Sequence, residues 1–120
     1  MYIRNQNILI TGVAGFIGGA LAKRLLENGS TIIGVDNLND YYDINLKKER
    51  IRIIKECDKG DSFIFCESNL EDFQKIVEIF HKYNPSIVIN LAAMAGVRHS
   101  IENPRSYIST NLVGFSNILE

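Results

Sequence analysis

The sequence predicts an α/β domain with a doubly wound parallel sheet, and three observations support this fold class. Short runs of apolar, mostly β-branched residues alternate with longer stretches in which apolar residues recur at helical spacing. The short runs do not alternate with polar residues, which indicates strands buried on both faces. Glycine, asparagine and proline mark the boundaries between the two patterns. Strands and helices that alternate in this way form a parallel sheet through right-handed crossovers, with helices on both faces.

Each element can be placed from its pattern. Asn28-Gly29 supplies a left-handed stop for the first helix, and Asn84-Pro85 breaks the third. The last helix is still in phase at Glu120, so we expect the chain to be cut within its domain, after about four strands and the following helix. The expected strands are residues 8–10, 31–35, 63–66 and 87–91, and the expected helices are residues 16–27, 46–55, 72–83 and a last one from near residue 104.

Strand order and composition limit the partners. In the usual strand order 3-2-1-4-5-6, a chain that ends here would leave the fourth strand as an unpaired apolar edge, which favours a homodimer or association through that edge. The chain has 120 residues, 46% of them hydrophobic, and a net charge of −1, as expected for one ordinary domain. No basic run exceeds Lys47-Lys48, so nucleic acid is not an expected partner. The sequence has neither a membrane-spanning stretch nor a signal peptide, which predicts a cytoplasmic location. Cys57 and Cys66 lack the spacing of a metal site, so no metal is expected.

A glycine-rich stretch between the first strand and the first helix predicts a phosphate-binding turn. Gly12 allows a tight turn, Gly15 lets a pyrophosphate approach the backbone, and Gly18 permits close packing of the helix. The N–H groups at the start of the helix, near Phe16 and Ile17, face the phosphates with the positive end of the helix dipole. The alternative is that the glycines serve only the turn and its packing.

Asp36 ends the second strand and follows Gly18 by 18 residues. An acidic side chain at about this distance accepts hydrogen bonds from the adenosine ribose of a dinucleotide. A carboxylate would repel the 2′-phosphate of NADP, and no arginine follows at once, so the sequence favours NAD. Taken alone, Asp36 is equally explained as a solvated carboxylate at a strand end or as a helix cap.

Other candidate residues follow the third and fourth strands. Asn69-Leu70 could lie along the adenine, although Asn69 is equally suited to cap the third helix. Leu91, Ala92 and Ala93 are small or apolar enough for a flat ring or a ribose to lie against them. Further candidates are Arg98 and Ser100, which could meet an anionic substrate, and the loop of residues 40–43, which is equally a lid beside the cofactor or an exposed turn.

Taken together, these residues resemble the extended short-chain dehydrogenase/reductase family, and within it the nucleotide-sugar epimerases of the UDP-glucuronate 4-epimerase group. The glycine stretch marks the broad family, whereas the loop after Asp36 and the turn after the fourth strand are narrower signatures. The motifs are Thr11-Gly12-x-x-Gly15-Phe16-Ile17-Gly18, Asp36-Asn37-Leu38-Asn39-Asp40-Tyr41-Tyr42-Asp43, Leu91-Ala92-Ala93-x-Ala95-Gly96-Val97-Arg98-x-Ser100 and Asn103-Pro104-x-x-Tyr107 with Asn111-x-x-Gly114.

The resemblance implies a Rossmann-like fold, NAD as cofactor and a UDP-sugar as substrate. It implies cofactor contacts from Gly12, Gly15, Phe16, Ile17 and Gly18 at the pyrophosphate, Asp36 and Asn37 at the ribose, Asn69 and Leu70 at the adenine, Leu91, Ala92 and Ala93 at the nicotinamide, and Asn111 near the active site. It places Met94, Arg98 and Ser100 on the substrate side. The chain departs from the family pattern at four positions: it has Asn69 where the family usually has aspartate, Asn90 where it has histidine, Met94 where it has glutamine and His99 where it has tyrosine.

The resemblance also implies a reaction. Such enzymes interconvert UDP-glucuronate and UDP-galacturonate: the tyrosine of a Tyr-x-x-x-Lys pair takes the proton of the sugar C4 hydroxyl, NAD accepts the hydride from C4, and the hydride is then returned to the other face. None of the five tyrosines here has a lysine four residues later, so we expect no catalytic residue in these 120 residues and no activity from them alone. Residues 1–120 would be the NAD-binding portion, without the substrate domain.

Three alternatives remain open at this point. One is an NAD-dependent dehydratase or reductase of the same family that acts on another nucleotide sugar, because the cofactor half is shared. Another is a non-catalytic NAD-binding sensor module, which the missing Tyr-x-x-x-Lys pair would suit. A methyltransferase is third, since it is also doubly wound, but its glycine loop is usually Gly-x-Gly.

Overall fold

The computed structural model describes residues 6–38, 44–58, 60, 62–92 and 118. Within these residues the expected alternation of strands and helices is confirmed, and no boundary differs from its predicted position by more than two residues. The elements are β1 (Asn7–Thr11), α1 (Phe16–Glu27), β2 (Thr31–Asp36), α2 (Ile44–Cys57), β3 (Phe63–Glu67), α3 (Phe73–Tyr83) and β4 (Ile87–Asn90).

The four strands form one parallel sheet in the order β3-β2-β1-β4. Ile10 of β1 is level with Gly34 of β2 on one side and with Ile89 of β4 on the other. From β1 the chain proceeds outward first to β2 and β3, and then returns to place β4 on the other side. The carboxyl ends of β1 and β4 therefore lie at the topological switch point, where ligands bind in open α/β sheets. The predicted doubly wound sheet is confirmed.

The core consists of two apolar layers, one on each face of the sheet. Ile8 and Ile10 pack with α1 and α2, whereas Leu9 packs on the opposite face with α3. Because both faces of the sheet are covered, apolar and polar residues do not alternate along β1 and β2. Ile118 is helical and packs against the second layer. The remainder of the predicted last helix, the loop of residues 40–43 and His99 lie outside the described residues.

The helix ends follow the expected local chemistry, with one correction. Gly29 has a φ of 87° after α1, and Asn84 has a φ of 45° after α3, so both predicted stops are confirmed. Asp72 caps α3 by accepting a hydrogen bond from the Lys75 N–H at 3.2 Å. The suggestion that Asn69 caps this helix is therefore wrong, because α3 begins too far along the chain. Among the described residues, no helix is long and apolar enough to cross a membrane.

Candidate functional site

The turn between β1 and α1 requires glycine at position 12 for two reasons. Gly12 has a φ of 75°, a left-handed conformation that side chains rarely adopt. Its N–H donates to the Val35 carbonyl at 2.8 Å, which holds the turn against the end of β2. A Cβ at Gly12 would also lie 2.9 Å from the amide nitrogen of Ala92 and from the carbonyl carbon of Leu91. The segment that follows β4 can therefore approach the turn only because Gly12 has no side chain.

Gly18 and Gly15 shape the start of α1. A Cβ at Gly18 would lie 2.2 Å from the carbonyl oxygen of Gly12. The close packing of α1 expected at Gly18 is therefore made directly against the turn, and not only against the strand. Gly15 is the N-cap residue and no side chain caps the helix. Because an α-helix leaves the N–H groups of its first turn without intrahelical partners, this end can bind an anion. Phe16 and Ile17 are 78% and 67% exposed there.

The carboxylate of Asp36 joins the glycine turn to the end of β2. One oxygen, Oδ2, accepts a hydrogen bond from the Ala14 N–H at 3.0 Å, and Oδ1 accepts one from the Leu38 N–H at 2.8 Å. The residue is only 9% exposed. It is therefore neither a solvated carboxylate nor a helix cap, since α2 begins only at Ile44. Each carboxylate oxygen has two lone pairs, so Asp36 retains acceptor capacity for a further donor.

Two asparagines predicted to flank the adenosine lie next to each other. The side-chain amide of Asn37 donates to Oδ1 of Asn69 at 2.9 Å, and both side chains remain accessible. The Ser68 N–H donates to the Asp36 carbonyl at 3.1 Å, which brings the loop after β3 to the end of β2. Leu70 is 5% exposed and its side chain packs in the core layer under α3. Only its backbone can therefore take part in a surface site.

The end of β4 is tied to β1 by a threonine that the sequence did not single out for binding. Thr11 is fully buried, and its hydroxyl donates to Oδ1 of Asn90 and accepts a hydrogen bond from the Ala92 N–H at 3.1 Å. The Leu91 N–H donates to the Thr11 carbonyl at 3.2 Å. Leu91 itself is 39% exposed, beside the turn. The other predicted site residues, Ala93, Met94, Arg98, Ser100 and Asn111, lie outside the described residues.

Arg50 is a second residue of this region that sequence reasoning missed. Its Nη1 donates to the carbonyl oxygen of Ala14 at 3.3 Å, and its guanidinium carbon lies 5.9 Å from the centre of the Phe16 ring. No sequence signal distinguishes it, because only the packing of α2 against α1 brings it there. The cations of α2 are Lys47, Lys48, Arg50, Arg52 and Lys55.

Three features define a dinucleotide-binding fold of the Rossmann type. They are a parallel sheet with a switch point at β1 and β4, a glycine turn before α1, and a buried acid at the end of β2. Comparison with known proteins refines this class. The sequence profile of the family described as GDP-mannose 4,6 dehydratase matches residues 9–120. The chain belongs to this family. Nucleotide-sugar 4-epimerases are among the proteins to which it is similar.

Individual relatives agree with this placement. Protein CapI of Staphylococcus aureus is 51% identical over 96% of this chain and 33% of its own length. The UDP-glucuronate 4-epimerase of Thermodesulfobacterium geofontis is 47% identical over 93% of this chain and 34% of its own length. The crystal structure of UDP-glucose 4-epimerase from Brucella ovis in complex with NAD superposes with a TM-score of 0.75 at 32% identity, over 95% of this chain and 31% of that one. The chain thus spans about a third of the length of these relatives.

Proposed function

We propose that this chain binds NAD as the cofactor-binding part of a nucleotide-sugar 4-epimerase. The observation that carries the proposal is the Asp36 carboxylate, which is buried against the glycine turn and still has acceptor capacity. A ribose with two free hydroxyls suits such an acceptor, whereas the 2′-phosphate of NADP would be repelled by its charge. The Brucella ovis relative was crystallised with NAD, which supports the same cofactor here.

We assign the pyrophosphate, the adenosine and the nicotinamide of NAD each to a different part of the site. The uncapped start of α1, from Gly15 to Gly18, would hold the pyrophosphate through backbone N–H groups. Asp36 and Asn37 would hold the adenosine ribose, and Asn69 would lie beside the adenine. The exposed Leu91 and its neighbour Ala92 would lie on the nicotinamide side, and the assignment of Ala93, outside the described residues, stays a prediction. When bound, NAD takes up a hydride from the substrate and returns it.

For the reaction, we infer the interconversion of UDP-glucuronate and UDP-galacturonate at C4 of the sugar. The 47% identity to a UDP-glucuronate 4-epimerase supports this choice of substrate. The assignments of Met94, Arg98 and Ser100 to the substrate and of Asn111 to the active site stay predictions, as do the cytoplasmic location and the association through the β4 edge.

The cofactor is tested by titrating the chain with NAD, NADP and S-adenosylmethionine while its thermal unfolding is followed. Ligand at about a hundred times its Kd stabilises the folded state by about 2.7 kcal/mol, so binding by NAD appears as a clear rise in Tm. Asp36→Asn keeps the shape of the side chain but removes its charge, and we expect NAD to bind at least about tenfold more weakly. Asp58→Asn is the matched control, because Asp58 lies before the amino end of β3, at the end of the sheet opposite to Asp36. Stabilisation by S-adenosylmethionine and not by NAD would overturn the proposal.

The reaction is tested on the complete product of the reading frame in which this sequence lies. UDP-glucuronate, UDP-glucose and GDP-mannose are supplied in parallel, and the configuration at C4 of the products is read by NMR. We expect turnover of UDP-glucuronate to its C4 epimer.

A second candidate function is a nucleotide-sugar dehydratase, which the description of the matching family favours. Water loss from GDP-mannose without epimerisation of UDP-glucuronate would select it. Binding of NAD without any turnover would instead select the non-catalytic sensor.

A further inference from the structure

The peptide unit between Ala14 and Gly15 is held at both ends by groups from different parts of the fold. Its N–H, on Gly15, donates to the Gly12 carbonyl at 3.0 Å. Its carbonyl, on Ala14, accepts a hydrogen bond from Nη1 of Arg50 at 3.3 Å. We propose that Arg50 is a positioning residue for the pyrophosphate-binding turn, which it acts on through this peptide. The inference rests on the proposed binding of NAD.

The glycine at position 15 explains why such an anchor is needed. Gly15 has no Cβ and is the N-cap of α1, with φ −77° and ψ 171°. Glycine has a wider range of backbone conformations than other residues, and here it stands at the point where the N–H groups of the helix must face the phosphates. A cation on α2 that holds the preceding carbonyl removes part of this freedom before the ligand arrives, which lowers the entropy cost of binding.

The Asp36 carboxylate completes the arrangement on the other side of Ala14. It accepts the Ala14 N–H, while the Arg50 guanidinium donates to the Ala14 carbonyl. Hydrogen bonds to charged groups are stronger than those between neutral groups. Because Ala14 is fully buried, the bond to Asp36 is shielded from water and the bond to Arg50 is partly shielded. Two opposite charges thus fix two consecutive peptide units of the turn.

The position of the guanidinium also suits an anionic ligand. It lies beside the Phe16 ring, at the start of α1, where the helix dipole is already positive. The charge of Arg50 and the helix dipole therefore both make the electrostatic potential more positive at this end of α1, which favours a pyrophosphate over an uncharged ligand.

The test compares three variants of the chain. Arg50→Met removes the donor, Arg50→Lys keeps a charged donor of similar reach, and Arg52→Met is the control, since Arg52 pairs with Glu49 and Glu56 on the exposed side of α2. NAD affinity is measured by calorimetry. We expect the Kd to rise about tenfold in Arg50→Met, to rise less than about threefold in Arg50→Lys, and to stay within about twofold in Arg52→Met.

A second measurement reads the turn without any ligand. Hydrogen exchange of the Gly15 amide should be at least about fivefold faster in Arg50→Met than in Arg52→Met, because the peptide is released at one end. Arg50→Met that binds NAD like Arg52→Met would overturn the role in binding, and unchanged exchange at Gly15 would overturn the positioning itself. If the unaltered chain fails to bind NAD, the proposed function fails, and the Gly15 exchange still decides the role of Arg50. Should Arg50→Met not fold, Arg50→Gln, which removes the charge but keeps a polar side chain, is measured against Arg52→Gln with the same expected results.

Discussion

The central βαβ unit, β1-α1-β2, differs from the two flanking strands in how completely it is buried. The apolar residues of β1 and β2 are at most 1% exposed, whereas Val88 of β4 is 38% exposed. The central strands have a neighbour on both sides and a helix layer on both faces. Among the described residues, β3 and β4 each have a neighbour on one side only. The glycine turn is therefore built on the most completely buried part of the sheet.

This difference separates two kinds of contact in the candidate site. The glycine turn and Asp36 meet within residues 12–38, so one supersecondary unit forms the part of the site to which we assign the pyrophosphate and the ribose. The parts to which we assign the adenine and the nicotinamide depend on contacts between residues far apart in the chain, such as Asn37 with Asn69 and Thr11 with Ala92. Substitutions in the central unit should consequently cost the most stability, and those in the flanking contacts less.

The largest effect is expected from Gly18→Ala. The new Cβ would lie 2.2 Å from a backbone oxygen of the turn, so α1 would have to move away from Gly12. We expect a loss of about 3 kcal/mol of unfolding free energy, at the upper end of overpacking effects, measured by urea denaturation.

The adjacent glycine of the same helix provides the matched control. A Cβ at Gly19 would meet only ordinary contacts, the nearest at 3.4 Å from the Val13 carbonyl oxygen. Alanine favours the helix interior over glycine, so Gly19→Ala should be neutral or up to about 1 kcal/mol more stable. Equal losses from the two substitutions would show that the close approach at Gly18 does not govern the stability of this unit.

The next effect is expected at Thr11, where the central unit meets β4. Thr11→Val keeps the shape but leaves the Ala92 N–H and the Asn90 side chain without the hydroxyl, at a cost of about 2 kcal/mol. Thr11→Ser keeps the hydroxyl and loses one buried methyl group, worth about 0.8 kcal/mol. Hydrogen exchange of the Ala92 amide should accelerate in Thr11→Val and stay unchanged in Thr11→Ser. Acceleration in both would assign the effect to packing.

The central unit was accessible to sequence reasoning and the flanking contacts were not, for a physical reason. Gly12, Gly18 and Asp36 act within one strand-turn-helix-strand unit, where spacing along the chain fixes spacing in the fold. Arg50 reaches the turn only because α2 packs on α1. The other cations of α2 look the same in the sequence, so nothing there indicates which of them contacts the turn. Asn69 was suited equally to a cap and to a site, and the position where α3 starts excludes the cap.

A smaller effect is expected beside β3, and it depends on pH. Burial raises the pKa of Asp58, but hydrogen bonds from the backbone N–H groups of Ser62, Phe63 and Gly60 outweigh it and hold the pKa below its ordinary value of 3.8. A carboxyl with a lowered pKa in the folded state stabilises the fold above the unfolded-state pKa, and this stabilisation is lost as the pH falls through the folded-state pKa.

Asp58→Asn should therefore cost about 1 kcal/mol at pH 7, where the charge is present. The difference from the unaltered chain should stay constant down to about pH 5 and shrink below the ordinary pKa of 3.8. Urea denaturation of both proteins across this range measures it. A difference that does not change with pH would show that the three hydrogen bonds stabilise the loop without regard to the charge.

The smallest effect is expected for the pair Asn37 and Asn69, which joins the loops after β2 and β3. Their hydrogen bond is 2.9 Å long but accessible to water, so the coupling energy from a double-mutant cycle with alanine should not exceed about 0.5 kcal/mol. The cycle is needed because Asn37 has a further interaction, which the single substitution would also remove. If both amides lie along the adenosine, each single substitution should weaken NAD binding several-fold, far more than its effect on folding implies. Unchanged NAD affinity in both single variants would restrict the site to the central βαβ unit and make the asparagine pair a contact between loops alone.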